Sequence, residues 1–292
     1  MIDINYIGHI CRDEVLSQNG HRTSNIGGAA IYGIIASSVA GASVAAELML
    51  AEADDAALEI VRKRGIEVHP IYTSQTTSVQ VIHHSANMDD RTIVTKSFAG
   101  LFEGCRLRGI PARHYHLAGC NDHEFALDFI RQLKGQGRTL SIDMQCFVRF
   151  NNKATGEIRF CDDPQKKEVA ALMDKIKLDI LEAKLLTGTD DLRIASQIVC
   201  DWGCPEVMIT CQEGAAARDQ RGYYFNRFSN RSVVGRTGRG DTTFGAFLGR
   251  RVHYGIEESL RFASALVSLK MEKPGVFDGT LEDVLQRMNA EH

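Results

Sequence analysis

Short apolar runs alternate along this chain with longer stretches whose apolar residues recur at helical spacing, which is the signature of a parallel sheet covered by helices. Strands are expected over residues 4–10, 114–117, 139–143, 178–181 and 206–210. Helices are expected over 29–39, where small and apolar side chains dominate, over the amphipathic 55–64, and over 124–133, where Gly135-Gln136-Gly137 stops the pattern. Ligands of an open parallel sheet collect at the carboxyl ends of its strands, so polar residues just after these runs are where chemistry is expected. With 292 residues, 44% of them hydrophobic, the chain has material for one large α/β domain.

Charge and cysteine usage narrow the partners. A formal net charge of -3 gives no global attraction to nucleic acid or to anionic lipid, so the expected ligand is a small molecule. The eight cysteines are scattered without a Cys-x-x-Cys pair, as reduced thiols of a cytoplasmic protein would be. The amino terminus begins as a strand, with neither a basic stretch nor a long apolar core, so no signal peptide is expected, and no segment is long and apolar enough to span a membrane.

One region interrupts the rhythm. Between residues 70 and 98 the sequence reads as hairpins: 78–84 alternates, Asn87-Met88-Asp89-Asp90 makes a turn, and 91–96 returns. Gln18-Asn19-Gly20 is a second hairpin cue. Segments 11–24 and 70–98 are therefore expected to form one small β sheet over the main one, either as surface decoration or as a lid that keeps water from a reacting group. Such a sheet is also a candidate surface for a homodimer.

The stretch from Thr237 to Phe247 carries the sharpest chemical signal. Gly238 and Gly240 allow the backbone N–H groups to turn toward one point, and the helix expected to follow adds roughly half a positive charge there. Asp241 at that point is poorly suited to holding a phosphate but well suited to taking a proton from a hydroxyl that attacks one. No Gly-Lys-Ser or Gly-Lys-Thr follows, and the spacing is not that of a dinucleotide loop. Taken alone, the segment is equally compatible with a helix entry capped by Asp.

Five segments in sequence order resemble the PfkB, or ribokinase-like, family of sugar and nucleoside kinases over nearly the whole chain. They are Gly27-Gly28-Ala29-Ala30, Asp89-Asp90-Arg91-Thr92, the run from Glu182 to Gly188, Ile209-Thr210 ahead of Glu213-Gly214-Ala215, and the run from Gly235 to Asp241. The resemblance implies a three-layer α/β/α sandwich with a mostly parallel sheet and a small β lid, as a single domain over 1–292. It implies ATP and magnesium as cofactors. Asp241 would be the general base, and amides from Gly238 through Arg239 and Gly240 would stabilise the transferring phosphoryl group. Thr210, Gly214, Thr237 and Gly275 would contact the nucleotide, while Glu182 with Asp179 would hold magnesium through water. Asp13, Asn25, Gly27 and Gly28 would bind the acceptor, a sugar, inositol or nucleoside.

Departures from the family pattern mark open points. Arg236 and Arg239 stand where the family has neutral residues, and each could contact a phosphate or face solvent. The turn after Thr210 is one residue short, Asp179 replaces the usual Asn, and Tyr32 replaces a frequent Asn. Asp143 and Arg149 are further candidates for lining the cleft. Phe98, Phe102 and Tyr32 are candidates for an aromatic shelf under a nucleobase. The spacing of His116, Cys120, Asp122, His123 and Glu124 matches no common zinc site. An active kinase and a family member that only binds a metabolite are both compatible with the sequence; retention of Asp241, Gly238, Gly240 and Glu182 favours the enzyme.

Overall fold

In a computed structural model, which describes residues 1–85 and 91–290, the chain begins with β1 (Ile2–His9), β2 (Cys11–Leu16), β3 (Arg22–Gly27) and α1 (Ala29–Val39). It continues through β4 (Val44–Ala51), α2 (Glu59–Arg62), β5 (Glu67–Thr73), β6 (Thr77–His83), β7 (Arg91–Ser97) and β8 (Ala112–Ala118). The middle of the chain forms α3 (Leu127–Gly135), β9 (Thr139–Asp143), the short pair β10 (Arg149–Asn151) and β11 (Ile158–Phe160), and α4 (Lys166–Leu172). Then come β12 (Lys175–Asp179), α5 (Ile180–Thr187), α6 (Leu192–Asp201), β13 (Glu206–Thr210), β14 (Gly214–Asp219) and β15 (Gly222–Arg227). Helices α7 (Arg239–Arg251), α8 (Ile256–Met271) and α9 (Leu281–Ala290) complete it.

Nine strands form the main sheet in the order β15-β14-β13-β12-β9-β8-β1-β4-β5. Every pair from β13 to β5 is parallel, and the two pairs at the β15 edge are antiparallel. Alternating strand residues feed opposite faces. Ile4, Tyr6, Leu48 and Met208 pack with α1, α7 and α8 on one side, whereas Ile7, Met49, Val207 and Ile209 pack with α3 and α6 on the other. The result is an α/β/α sandwich. A second sheet, in the order β3-β2-β6-β7, stands apart from it.

Several expected boundaries move, each for a local reason. The strand expected over 178–181 lies earlier, as β12 over Lys175–Asp179, and it ends at Asp179, which caps α5, with Glu182 returning the hydrogen bond in a capping box. The helix expected over 124–133 starts at Leu127, because Asp122 and His123 take positive φ (45° and 55°) and Glu124 is drawn inward to His9. Residues 55–64 form a 3-10 helix over Glu52–Leu58 and only one α turn. Of the region expected as hairpins, residues 70–73 belong to β5, which pairs in parallel with β4 in the main sheet. The turn at Asn87-Met88-Asp89-Asp90 lies outside the described residues.

Candidate active site

Helices α1 and α7 lie side by side in parallel, and small residues let their backbones meet. A Cβ on Gly245 would lie 2.5 Å from Gly33 Cα, and one on Gly249 would lie 2.5 Å from the Ser37 carbonyl oxygen. Ser37 ties the contact together, its Oγ 2.6 Å from both the Tyr6 hydroxyl and the Gly245 carbonyl. This packing brings the two helix N-termini to one place. Gly28 caps α1 at φ 110°, where a Cβ would lie 2.8 Å from the His9 carbonyl oxygen. Gly238 caps α7 at φ 74° and is pressed against the Tyr32 ring. Both φ values fall where glycine is the residue that fits without strain.

The first turn of α7 offers its amides. Arg239 donates its N–H to the Arg236 carbonyl and Thr242 donates to Gly238, while the N–H groups of Gly240 and Asp241 have no acceptor among the described residues. The preceding loop is held by Lys270 of α8, whose ammonium donates to the carbonyls of Gly235 and Thr237 and lies 5.0 Å from the centre of the Tyr32 ring. Burial lowers the Lys270 pKa to about 8, with the charge of Asp241 working the other way.

Facing these amides are the carboxyl ends of β9, β12 and β13. Asp143, the last residue of β9, accepts a 2.8 Å hydrogen bond from the Lys177 ammonium of β12, and both are buried. Asp143 is also within hydrogen-bonding reach of Asp241. Burial and Asp143 push the Asp241 carboxyl up to about 6, against the opposing pull of Lys177 and Arg149. Burial works against the charge on Lys177, but Asp143, Glu182, Asp241 and Asp179 outweigh it and hold its pKa above the ordinary ammonium value. Thr210, last in β13, has its hydroxyl 3.6 Å from where a Gly240 Cβ would stand.

Of the acceptor residues expected from the sequence, Asp13 shares an electrostatic neighbour, Arg149, with Asp241, while Asn25 is exposed on the small sheet. Asp13 on β2 is paired in register with Asn25 on β3. Burial raises the Asp13 carboxyl, tempered by a hydrogen bond from Cys11 and by the charge of Arg149. Tyr32, pushed to about 12 mainly by burial, feels the charges of both Asp13 and Asp241. Gly27 pairs with Cys11 at the base of the small sheet, next to Gly28. Phe102 is not available as a shelf: it is fully buried and stacks on Phe125 at 4.8 Å, while Phe98 packs edge-on against His9.

On the donor side the picture is mixed. Thr237 lies in the loop held by Lys270, and Arg239 opens α7, its guanidinium close to the charges of Arg236, Asp179 and Glu213 and without a hydrogen bond or ion pair among the described residues. Gly214 starts β14, where a side chain would collide with the Asn226 carbonyl, so its glycine is required by strand pairing. Gly275 sits in the loop after α8 at φ 88°, with nothing within 4 Å of where its Cβ would be.

Asp179 and Glu182 fit magnesium in part. Each uses one carboxylate oxygen on the other's backbone N–H, at 2.8 and 2.7 Å, which leaves one oxygen on each for a hydrated cation. Burial first, then Asp179, pushes the Glu182 carboxyl up to about 8, so a cation beside it would be favourable. Among the described residues, no group of three or more His, Cys, Asp or Glu is arranged to hold a metal by itself.

The family model of the pfkB carbohydrate kinases matches residues 1–283. The chain belongs to the PfkB family. It is a phosphotransferase with an alcohol group as acceptor. This PfkB kinase is 25% identical over 261 residues to a cytidine kinase of Thermococcus kodakarensis, covering 85% of this chain and 88% of that one. A pyrophosphate-dependent kinase of the ribokinase family, solved with a pyrophosphate analog and myo-inositol, matches with a TM-score of 0.87 at 30% identity over 97% of this chain and 99% of the other. The sulfate complex of a pyrophosphate-dependent kinase of that family gives a TM-score of 0.88 at 31% identity, with the same coverage. Arabidopsis thaliana ribokinase with ribose and ATP matches at 0.75 and 17% identity over 98% of both chains, a likeness of fold.

Two lysines of the site, Lys177 and Lys270, were not legible as site residues in the sequence. Lys177 lies in Lys175-Ile176-Lys177-Leu178-Asp179, where two lysines alternate with apolar residues on a strand next to a site motif. A charged residue in the buried middle of such a strand is the signal that points to it. Lys270 closes a long helix of otherwise ordinary composition and carries no comparable sign. Among the described residues, no helix is long and apolar enough to cross a membrane.

Proposed function

We propose that this PfkB kinase transfers a phosphoryl group from pyrophosphate to one hydroxyl of a cyclic polyol of the myo-inositol type. The observation that carries the reading is the likeness, at about one residue in three over nearly the full chain, to kinases described as pyrophosphate-dependent, one of them bound to myo-inositol. The donor side supports it: Arg239 offers a guanidinium without a partner among the described residues, at the start of α7 with Arg236 close by, a setting suited to a compact polyanion. On the acceptor side Asp13, Tyr32 and Arg149 supply polar groups, and the buried Phe102 removes one of the aromatic platforms a nucleobase would use.

In the reaction, the acceptor hydroxyl lies between Asp13 and Asp241, and its oxygen attacks the nearer phosphorus of pyrophosphate. The bridging P–O bond breaks, phosphate leaves with the electron pair, and Asp241 takes the hydroxyl proton. The free N–H groups of Gly240 and Asp241 face the charge that develops on the phosphoryl oxygens. Asp179 and Glu182 would hold magnesium, whose chemistry there is to neutralise donor charge. The small sheet that carries Asp13 and Asn25 would act as the lid that excludes water.

The test is product formation followed by phosphorus NMR, with pyrophosphate or ATP as donor and myo-inositol, ribose or cytidine as acceptor. Turnover is expected with pyrophosphate and myo-inositol. Turnover with ATP and cytidine alone would replace this reading by a nucleoside kinase, and no turnover above the Asp241→Asn background with any pair would refute kinase activity toward these substrates. Arg239→Met is expected to raise the KM for pyrophosphate by about ten- to a hundredfold, the worth of one hydrogen bond to a charged group. The KM for the acceptor should stay within about twofold if the guanidinium contacts only the donor.

A further inference from the structure

An ammonium in the middle of a parallel sheet needs a reason. Lys177 is 4% exposed, on a strand flanked by β9 and β13, and the loss of hydration opposes its charge. Its pairing with Asp143 does not supply that reason by stability alone, since a buried ion pair can often be replaced by neutral groups at little cost. Only one of its three N–H donors is accounted for: among the described residues, Asp143 is its one hydrogen-bond partner. The ammonium also sits directly under the first turn of α7. The position a Gly240 Cβ would take is 3.0 Å from Lys177 Cε and 3.1 Å from Nζ. That glycine therefore leaves room for the lysine, and the ammonium shares its surroundings with the two unused amides of Gly240 and Asp241.

We infer that Lys177 is a further catalytic residue, whose ammonium donates to an oxygen of the phosphoryl group in transfer while Asp143 fixes its position. The assignment rests on the function proposed above for the identity of the donor, and on the positions of Lys177, Gly240 and Asp143 for the contact itself. The charges of Asp143, Glu182, Asp241 and Asp179 all act on the Lys177 ammonium, so an anion arriving beside it meets four carboxyl groups. A fixed cation among them offsets that repulsion, and it does so most as the transferring group departs from its donor. The competing role is purely structural, with Lys177 serving only to keep Asp143 and Asp241 in place.

Pyrophosphate binding without acceptor, measured by calorimetry, separates the two roles. Lys177→Met is expected to weaken pyrophosphate binding by about ten- to a hundredfold. The double variant D143N/K177M replaces the ion pair by neutral groups and guards against misfolding of the single variant. It is expected to show the same loss, with a cooperative melting transition and with thermal stabilisation by myo-inositol retained. A folded double variant that binds pyrophosphate as tightly as the wild type would overturn the inference and leave Lys177 a structural clamp. Wild-type protein that binds no pyrophosphate would overturn both the inference and the proposed donor. Wild-type protein that binds pyrophosphate through Lys177 but phosphorylates none of the acceptors would defeat the proposed function and leave this assignment standing.

Discussion

Replacing Asp241 by Asn is expected to lower kcat by about a hundredfold to ten-thousandfold, the usual contribution of a positioned base, while making the protein more stable at neutral pH. Both effects come from one environment. Asp241 stands at the start of α7, beside Asp143 and in a buried setting, and these push its carboxyl from 3.8 up to about 6 despite Lys177 and Arg149. A base with that value is ionised at pH 7 yet still has appreciable affinity for a proton. The acidic limb of kcat/KM is therefore expected near pH 6, falling about tenfold per pH unit below it in a single-proton regime. Stability follows the opposite sense. A carboxyl whose folded value is raised binds its proton more tightly in the native state, so its contribution is fully present below 3.8 and is lost as pH rises through about 6. Above that, the native state carries a buried carboxylate at a cost of about 1–3 kcal/mol. Thermal melts should show Asp241→Asn and wild type close together near pH 4 and separating toward pH 7. Coincident melts across that range would mean that the site does not strain its own base.

How much of this was legible in the sequence depends on how local each signal is. Gly238, Gly240 and Asp241 follow from a short run whose backbone needs and chemistry point the same way, and the structure places them at the start of α7 as expected. Gly27 and Gly28 were readable for the same reason, with the positive φ of Gly28 allowing the turn into α1. Asp179 and Glu182 were singled out by motif, yet the strand was expected to run on to Leu181 because Leu178, Ile180 and Leu181 are apolar. The capping box, a pattern of two side chains, outweighs that apolar run. β4 was missed because Val-Ala-Ala-Glu-Leu-Met-Leu-Ala has the composition of a helix; burial on both faces between β1 and β5 makes it a strand. Lys177 and Lys270 become site residues only when α7 is packed onto the sheet and α8 onto the loop before it, contacts that span 63 and 33 positions along the chain. For Lys270 no local pattern carries that information, and for Lys177 the one local sign is a charge on a buried strand.

The second large effect is expected at Gly238, where loop conformation and catalysis meet. Gly238→Ala places a Cβ at φ 74°, in the left-handed region, at a cost of about 1–2 kcal/mol. It also places that Cβ 2.5 Å from the Tyr32 ring, an overlap that adds about 1–3 kcal/mol unless the ring moves. Tyr32 has little freedom to do so, since its ring is partly buried and faces the Lys270 ammonium. The strain must then be relieved by the loop, which shifts the N–H groups of Gly240 and Asp241 relative to the phosphoryl group. Loss of a fixed donor of this kind lowers kcat by about a hundred- to a thousandfold. The expected result is a variant that melts several degrees lower, with kcat reduced by that factor and KM for the acceptor less affected. Adding Tyr32→Ala removes the overlap but not the backbone strain, so G238A/Y32A should regain part of the melting temperature and less of the kcat. A Gly238→Ala enzyme with wild-type kcat would show that the first turn of α7 does not need this glycine, and would remove the amides of that turn from the reaction.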